Sequence, residues 1–300
     1  MTRRSFGLTV ISACVAGSAR AGGVTKWALL SDTHVSKTRS TDRGNENLQR
    51  VIGTIDRSFN GTLICGDLAT GPGGNIATKE DYTTLKSLID KVKAANTLLA
   101  MGNCDSRGLY LDVFGNPANR QGVKEQIVLA LDADPVRLVV LDSSNGDDTT
   151  TPQTPATLGA PQLSWLQRYL QDHHDKPIIL FTHYPAGLVD GQAKMTDGLV
   201  PAVSSPSTLS LKSILEADTY KSVKAIVSGH EHVYNPPTPW QINDSPSVYS
   251  IYLLGLPSVK PGATPYSGWV EASFETVGFM LTLRNVAGKG SLWPFWRWLS

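Results

Sequence analysis

Five short motifs along the chain carry side chains that bind metal ions. They are Asp32-Thr33-His34, Gly66-Asp67, Gly102-Asn103-Cys104-Asp105, His183 and Gly229-His230-Glu231-His232. Carboxylate, amide oxygen and imidazole suit divalent ions such as Mn²⁺, Fe²⁺ or Zn²⁺. The set is large enough for two adjacent ions that share one carboxylate. Two such ions could clamp a phosphate and generate a bridging hydroxide for in-line attack on phosphorus.

The order of these motifs is more informative than any one of them, because a lone Gly-Asp or a lone histidine is more often structural. Four of the six histidines fall inside the series. His173 and His174 fall outside it and are expected at a solvated helix end. No thiolate cluster is present in the sequence, so a structural zinc site is not expected.

In the first half of the chain, three predicted strand–helix units each end their strand at a candidate ligand. Asp32, Asp67 and Asn103 follow these strands. The apolar patterns place strands at 26–31, 62–65 and 97–101, and helices at 45–57 and 79–94. Sites in α/β sheets form beyond the carboxyl ends of the strands, so the three groups should lie together.

In the second half of the chain the predicted strands and helices alternate less regularly, but candidate ligands again follow strands. His183 and His230 follow two of the predicted elements. Strands are predicted at 126–131, 137–141, 178–181 and 225–227, and helices at 161–173 and 209–217. Long irregular stretches are predicted at 143–162 and 184–206, the second as a lid or binding loop. The β-rich segments 248–254, 269–275 and 277–284 are predicted to form an antiparallel tail of a second sheet.

The motif series resembles that of the calcineurin-like metallophosphoesterase superfamily over nearly the whole of the chain after residue 21. The family pattern is Asp-x-His, Gly-Asp, Gly-Asn-His-Asp/Glu, a lone His and Gly-His-x-His. The resemblance implies an α/β (α+β) fold, a four-layer αββα sandwich of two mixed β-sheets flanked by helices. Leu141-Asp142-Ser143, Gly159 and Gln162-Leu163-Ser164-Trp165-Leu166 are further similar to the class III cyclic-nucleotide phosphodiesterase branch.

The resemblance assigns a role to each motif residue. It implies a first metal held by Asp32, His34, Asp67 and His232. It implies a second metal held by Asp67, Asn103, His183 and His230, so that Asp67 bridges. The residues expected to take part in catalysis are Asp67, Asn103, His183, Cys104 and Asp105. Asp105 is expected either to support the ligands from behind or to act as a local cap.

The sequence departs from the family pattern at two positions. Thr70 stands where purple acid phosphatases carry a tyrosine, so a tyrosinate–iron(III) centre is not expected. Cys104 stands where many members carry a histidine that contacts phosphate and helps the leaving group. The motif is nevertheless similar to that of small bacterial phosphodiesterases with cysteine there. Arg107 follows closely, and is predicted either to face the substrate or to be a solvated loop residue.

These observations predict a dinuclear metal-dependent phosphoesterase that cleaves a small-molecule phosphoester. A diester substrate is favoured over a monoester, and a nucleotide-like substrate stays open, with Tyr184, Leu188 and Met195 as candidates for the wall around a base. The alternatives are a phosphomonoesterase of the same fold, or a metal-dependent binding or scaffold protein with weakened catalysis. No nucleic-acid polymer is expected, because no basic run exists and the charge is nearly balanced.

The N-terminus predicts export to the periplasm or beyond. Residues 1–21 have paired arginines, an apolar stretch and a small-x-small cleavage site, as in a twin-arginine signal peptide. Residues 22–300 are then expected to form a single domain. Cleavage removes Arg3, Arg4 and Arg20 of 27 basic residues and none of 26 acidic ones, which leaves a net charge of −2. Lipidation at Cys14 is the less favoured alternative.

Two further features of the sequence leave alternatives open. Cys65 and Cys104 would be the two cysteines after cleavage, and a single disulfide between them is compatible with an oxidising compartment. The tail at 292–299 is rich in tryptophan. It is predicted to pack back onto the domain, with contact to a membrane surface or a partner as the alternative.

Overall fold

The architecture comes from a computed structural model, in which thirteen strands and five helices lie within the described residues. The described residues are 23–38, 43–144, 158–185, 210–232, 235–242, 245–253, 255–256, 267–286, 290–292 and 296–297, with the backbone alone for 235–242, 245–247, 290–292 and 296–297. The predicted signal segment, Leu188 and Met195 therefore lie outside the description.

The strands and helices alternate in the first part of the chain and give way to strands in the last part. The strands are β1 (Thr25–Leu30), β2 (Gly61–Ile64), β3 (Asn96–Leu99), β4 (Leu129–Ala133), β5 (Val136–Val140), β6 (Ile178–Thr182), β7 (Val223–Ser228), β8 (Asn235–Ile242), β9 (Ser245–Tyr252), β10 (Gly268–Glu275), β11 (Gly278–Asn285), β12 (Gly290–Leu292) and β13 (Trp296–Arg297). The helices are α1 (Gly44–Thr54), α2 (Lys79–Ile89), α3 (Arg107–Phe114), α4 (Gly159–Asp172) and α5 (Leu211–Ala217).

The first sheet aligns the ends of its three parallel strands. Its order is β12-β11-β10-β1-β2-β3, with β13 also paired to β11. Leu30 lies beside Ile64, and Ile64 lies beside Leu99. The loops that follow β1, β2 and β3 therefore leave the sheet at the same level, which brings their polar residues to one edge.

The second sheet also aligns the ends of its parallel strands. Its order is β4-β5-β6-β7-β9-β8, with parallel pairing from β5 through β9. Val140 lies beside Phe181, and Phe181 lies beside Val227. Asp142, His183 and Gly229, each two residues further on, therefore emerge level with one another.

Alternation along the strands of the second sheet separates two apolar clusters. Phe181 and Val227 point toward the first sheet, whereas their neighbours Leu180 and Ile226 pack with residues of α4 and α5. Helices α1, α2 and α3 contribute to the cluster that contains the first sheet. Because successive side chains of a strand face opposite ways, the result is the expected four-layer sandwich of two mixed sheets between helices.

The prediction for the C-terminal strands was wrong in its pairing. Of the three predicted segments, only the one at 248–254, which is β9, joins the second sheet, and it runs parallel to β7. The other two are β10 and β11 and join the first sheet instead, where β10 pairs antiparallel with β1 and β11 pairs antiparallel with β10. Strand β1 is a central strand buried at every residue but Lys26, and it needs a neighbour on its free edge. Local apolar patterning cannot report which strand supplies that neighbour. Helix α3 and strand β8 were not predicted.

The tryptophan-rich tail is attached to the first sheet through its backbone. Strands β12 and β13 both pair antiparallel with β11. Among the described residues, no helix combines the length and the apolar character needed to cross a bilayer.

Candidate metal centre

The first group of lone-pair atoms comes from the loops after β1, β2 and β7. Asp32 Oδ1 lies 3.2 Å from His232 Nε2. His34 Nε2 lies 3.3 Å from His232 Nε2 and 3.6 Å from Asp67 Oδ2. The structure thus gathers Asp32, His34, His232 and one oxygen of Asp67, the four residues predicted for the first metal.

The second group comes from the loops after β2, β3, β6 and β7. His183 Nε2 lies 3.4 Å from Asp67 Oδ1 and 3.0 Å from Asn103 Oδ1. His230 Nδ1 lies 3.0 Å from Asn103 Oδ1 and 3.3 Å from His183 Nε2. These are the four residues predicted for the second metal, and Asp67 presents a different oxygen to each group.

The atoms that meet in each group are mostly hydrogen-bond acceptors, which a divalent cation between them would bind. His183 donates Nδ1–H to the Cys65 carbonyl at 2.9 Å, so that loss of the other ring proton, as on binding a cation, leaves the Nε2 lone pair facing the group. That lone pair, the Asn103 oxygen and the Asp67 carboxylate are all acceptors. Four ligands around an ion at 2.0–2.1 Å lie about 3.3 Å apart, close to the spacings seen here.

The backbone at the candidate ligands is unusual. Five of the eight non-glycine residues with positive φ in the described chain are candidate ligands: Asp32, His34, Asp67, His230 and His232. Asp32 and His34 converge on His232 through left-handed turns after the strand has ended. Such conformations cost free energy and cluster at functional sites, where the surrounding structure holds them.

Two motif glycines allow the loops to come this close. A Cβ on Gly229 would lie 2.8 Å from Asp32 Oδ2 and would overlap the Ser31 hydroxyl. A Cβ on Gly102 would overlap the backbone nitrogen and Oδ1 of Asp67. The glycines in these motifs are therefore required for close approach between loops of different strands.

Hydrogen bonds hold the carboxylates of the first sheet. The backbone N–H of Cys104 donates to Asp67 Oδ1 at 2.8 Å. The backbone N–H of His230 reaches both oxygens of Asp32, at 3.0 and 3.2 Å. The Ser31 hydroxyl also contacts Asp32, and the Thr70 hydroxyl contacts His34 Nδ1. The role of Ser31 was not predicted from the sequence, although the residue lies directly before the candidate ligand Asp32.

Asp105 lies behind Asp67 and joins two of the ligand loops. It accepts backbone N–H bonds from Gly102 at 2.8 Å and from Leu68 at 3.1 Å, and the Tyr82 hydroxyl donates to it at 3.0 Å. It thus combines the two predicted roles, since it closes its own turn and supports the neighbouring loop. Tyr82 was missed, because it lies on α2, far from the motif in sequence.

Burial and the two carboxylates set the charges of the centre. Burial would raise the pKa of Asp32 and Asp67, but the neighbouring histidines lower both below the ordinary value. Burial lowers the pKa of His34, and burial together with His183 lowers that of His230 to about 4. At neutral pH the carboxylates are therefore ionised and these two imidazoles are neutral, as ligands must be.

His183 shows that the centre favours positive charge. Burial opposes protonation of its ring, yet Asp67 and Asp32 raise its pKa above the ordinary value. Asp105 shows the same preference, because burial and Asp67 raise its pKa to about 7 and so favour its protonated form. A cation placed between the two carboxylates would satisfy the same demand.

Cys104 is buried beside the first group rather than open to solvent. Its sulfur belongs to a cluster with ligand atoms of His34 and Asp67, all within 4.8 Å of one another. Burial, followed by Asp67 and Asp105, raises the pKa of its thiol far above the ordinary value. Cys65 and Cys104 are both free, so the proposed disulfide between them is not formed.

Two predictions about residues near the centre need correction. Arg107 neither faces a substrate nor is solvated, because it pairs with the buried carboxylate of Asp142 at 2.6 Å. Tyr184 is fully buried, and its ring lies 4.2 Å from that of His230. It packs behind the second group and does not form an open wall for a base.

A cavity of about 860 Å³ lies beside the centre rather than over it. It is bordered by the 72–79 segment and by one side of α3, including Ser106, Gly108 and Leu109. None of the candidate ligands lines it, so it is not the space above the two groups.

The sequence matches the model of the calcineurin-like phosphoesterase family over residues 25–234, and the chain belongs to this family. The match spans all seven candidate ligands. Glycerophosphodiester phosphodiesterase GpdQ of Enterobacter lignolyticus (strain SCF1) is 24% identical over 213 residues, which are 68% of this chain and 70% of that protein.

Two solved structures align with most of this chain at low sequence identity, and the first of them shares its fold. GAP50, the anchor in the inner membrane complex of Plasmodium, superposes with a TM-score of 0.54 at 12% identity, over 92% of this chain and 88% of its own. A predicted phosphoesterase from Streptococcus pneumoniae TIGR4 gives a TM-score of 0.37 at 10% identity, over 90% of this chain and 94% of its own.

Proposed function

We propose that this chain is an exported metal-dependent phosphodiesterase with a dinuclear centre. The observation that carries the proposal is the pair of lone-pair groups that share one carboxylate, with Asp67 Oδ2 turned toward His34 and Oδ1 toward His183. A single cation would leave one of these groups without its counter-charge. The membership of the family and the similarity to GpdQ support the same reaction class.

The residues divide between two cations. Asp32, His34 and His232 would hold the first, Asn103, His183 and His230 the second, and Asp67 both. When bound, Mn²⁺, Fe²⁺ or Zn²⁺ ions would polarise the phosphoryl group and lower the pKa of a water between them. Metal identity follows availability as well as ligand type, so all three stay open.

The protein side chains fix the geometry but offer little proton transfer. Asp105 holds the loops of Asp67 and Asn103 together, so the shared carboxylate cannot rotate away. The thiol of Cys104 stays protonated at neutral pH and is too weak an acid to protonate a departing alkoxide efficiently. This arrangement favours substrates with good leaving groups.

A small-molecule diester is the substrate class that we propose. Cys104 and the similarity to a glycerophosphodiester phosphodiesterase both favour it. A nucleotide-like diester stays within the proposal. Faster release of phosphate from p-nitrophenyl phosphate than cleavage of bis(p-nitrophenyl) phosphate would reverse the preference and indicate a monoesterase.

The twin-arginine signal suggests that the protein is exported already folded and loaded with metal. Fractionation of producing cells should place the mature protein in the periplasm or the medium. Retention in the membrane fraction after removal of residues 292–299 would indicate lipidation at Cys14, whereas release on that removal would indicate that the aromatic tail binds the membrane.

The central test is an Asp67→Asn variant with metal analysis on the same preparation. Wild-type protein should hold two transition metal ions per chain and cleave bis(p-nitrophenyl) phosphate. Asp67→Asn should lose both properties, because a neutral amide cannot supply a charged oxygen to each group. Asp90→Asn is the matched control, since Asp90 is an exposed partner of Lys86 on α2 and should leave both properties unchanged.

A rival function is metal-dependent binding without efficient catalysis. The buried thiol of Cys104, in place of the usual histidine, is the observation that favours it. Protein that holds two ions but cleaves nothing in a broad phosphoester panel would support this rival. Protein that holds no stoichiometric metal would contradict both functions.

A further inference from the structure

The segment that resembles the cyclic-nucleotide phosphodiesterase branch has a structural task in this protein. Asp142, Ser143 and Gln162 are all fully buried. The Asp142 backbone N–H donates to Gln162 Oε1 at 2.8 Å, and Gln162 Nε2 donates back to the Asp142 carbonyl at 2.9 Å. Gln162 of α4 thereby holds the chain directly after β5. Because Asp142, Ser143 and Gln162 are buried, they do not contact a substrate themselves.

The carboxylate of Asp142 is held by an arginine of helix α3, which packs against the first sheet. Arg107 donates Nε–H to Asp142 Oδ2 at 2.6 Å and Nη2–H to Asp142 Oδ1 at 3.0 Å. A second bond from Nη2 reaches the Ser144 carbonyl at 2.8 Å. Arg107 is the first residue of α3 and follows the Asn103 loop, so this bidentate pair connects that loop to the end of β5.

The next residue, Ser143, extends the connection to His183. Its hydroxyl oxygen accepts the backbone N–H groups of His183 and Tyr184, each at 3.1 Å. Five hydrogen bonds, three from Arg107 and two to the Ser143 hydroxyl, therefore lead from the loop that carries Asn103 to the loop that carries His183. The side chains of these two residues meet at 3.0 Å.

We infer that Arg107, Asp142 and Ser143 form an inter-sheet strap whose function is to position Asn103 against His183 and so to complete the second cation site. The inference rests on the proposed dinuclear function. At the first site, Asp32 contacts His230 and His232 directly, so its position does not depend on the strap. Arg107 is thus a positioning residue that contacts neither cation nor substrate.

Arg107→Gln should weaken Mn²⁺ binding at the second site and spare the first. Loss of an outer partner of a metal ligand typically reduces metal affinity about 10- to 100-fold. Mn²⁺ titration of the purified full-length protein, followed by electron paramagnetic resonance, separates single ions from coupled pairs. Lys79→Gln is the matched control, because it breaks the exposed pair between Lys79 of α2 and Asp112 of α3, and this variant should bind both ions as the wild type does.

A second variant covers the case in which Arg107→Gln leaves the buried Asp142 charge uncompensated and fails to fold. The double variant Arg107→Gln/Asp142→Asn removes both charges together and should fold, yet should show the same selective loss. Two coupled ions at wild-type affinity in either folded variant, or equal weakening of both sites, would overturn the strap alone. A wild-type protein that binds fewer than two ions would overturn the dinuclear proposal, and the strap with it.

Discussion

The close approach of Gly102 to Asp67 gives a prediction whose size follows from the structure. In Gly102→Ala, the new methyl group would lie 3.0 Å from Asp67 Cα and closer still to its backbone nitrogen and Oδ1. Ordinary contacts between such atoms are about 3.5 Å, so the two loops must separate by at least about 1 Å. Asp105 ties the same loops together through Gly102 and Leu68, which leaves them little room to move.

The expected cost has two parts. Overpacking of a rigid site costs about 1–3 kcal/mol of unfolding free energy, or roughly 2–10 °C in Tm for a chain of this size. Displacement of the shared carboxylate by about 1 Å should lower the rate roughly 100-fold. Thermal unfolding and cleavage of bis(p-nitrophenyl) phosphate measure the two effects, and metal analysis shows which site is lost.

A second glycine provides a matched control for the general effect of replacing glycine with alanine. Gly53 lies on α1, is exposed, and has no atom within 4 Å of an added Cβ. Gly53→Ala should therefore leave activity unchanged and raise stability by up to about 1 kcal/mol, because alanine is the better helix former. Gly102→Ala with wild-type metal content, rate and Tm would refute the reasoning.

Two further outcomes are expected. In metal-free protein, burial and His183 lower the pKa of His230 from 6.5 to about 4. The unfolded chain therefore binds a proton at His230 at a higher pH than the folded protein does, and the free energy of unfolding falls as pH falls from 6.5 toward 4. Denaturant unfolding should show the wild type losing about 3 kcal/mol more than His230→Asn over this range, and parallel curves would contradict the assignment. Cys104→His should fold and raise the rate for diesters with poor leaving groups by up to about 100-fold, because an imidazolium can donate a proton. An unchanged dependence of rate on the leaving group would place residue 104 outside the reaction.

The sequence by itself determined which residues meet at the centre. Asp32, Asp67 and Asn103 each follow an apolar strand, and strands of one parallel sheet deliver such residues to a common edge. His183 follows a strand of the second sheet, and it was the family resemblance that added it to the same centre. The strand–helix alternation predicted an α/β sheet, and the family resemblance predicted the four-layer sandwich. Buried strands and helices with apolar spacing were found within a few residues, because local patterning is what specifies them.

Only the tertiary structure decided how the centre is held. The pairing of β10 with β1, the strap from Arg107 to Ser143, and the bond from Tyr82 to Asp105 join segments that are far apart in sequence. No local pattern reports such partners, because each residue type is compatible with several environments. Arg107 illustrates the point, since an arginine after a ligand loop suggests a substrate contact until the buried carboxylate opposite it is seen. The motifs therefore specified the chemistry, while long-range packing specified the distances at which that chemistry becomes available.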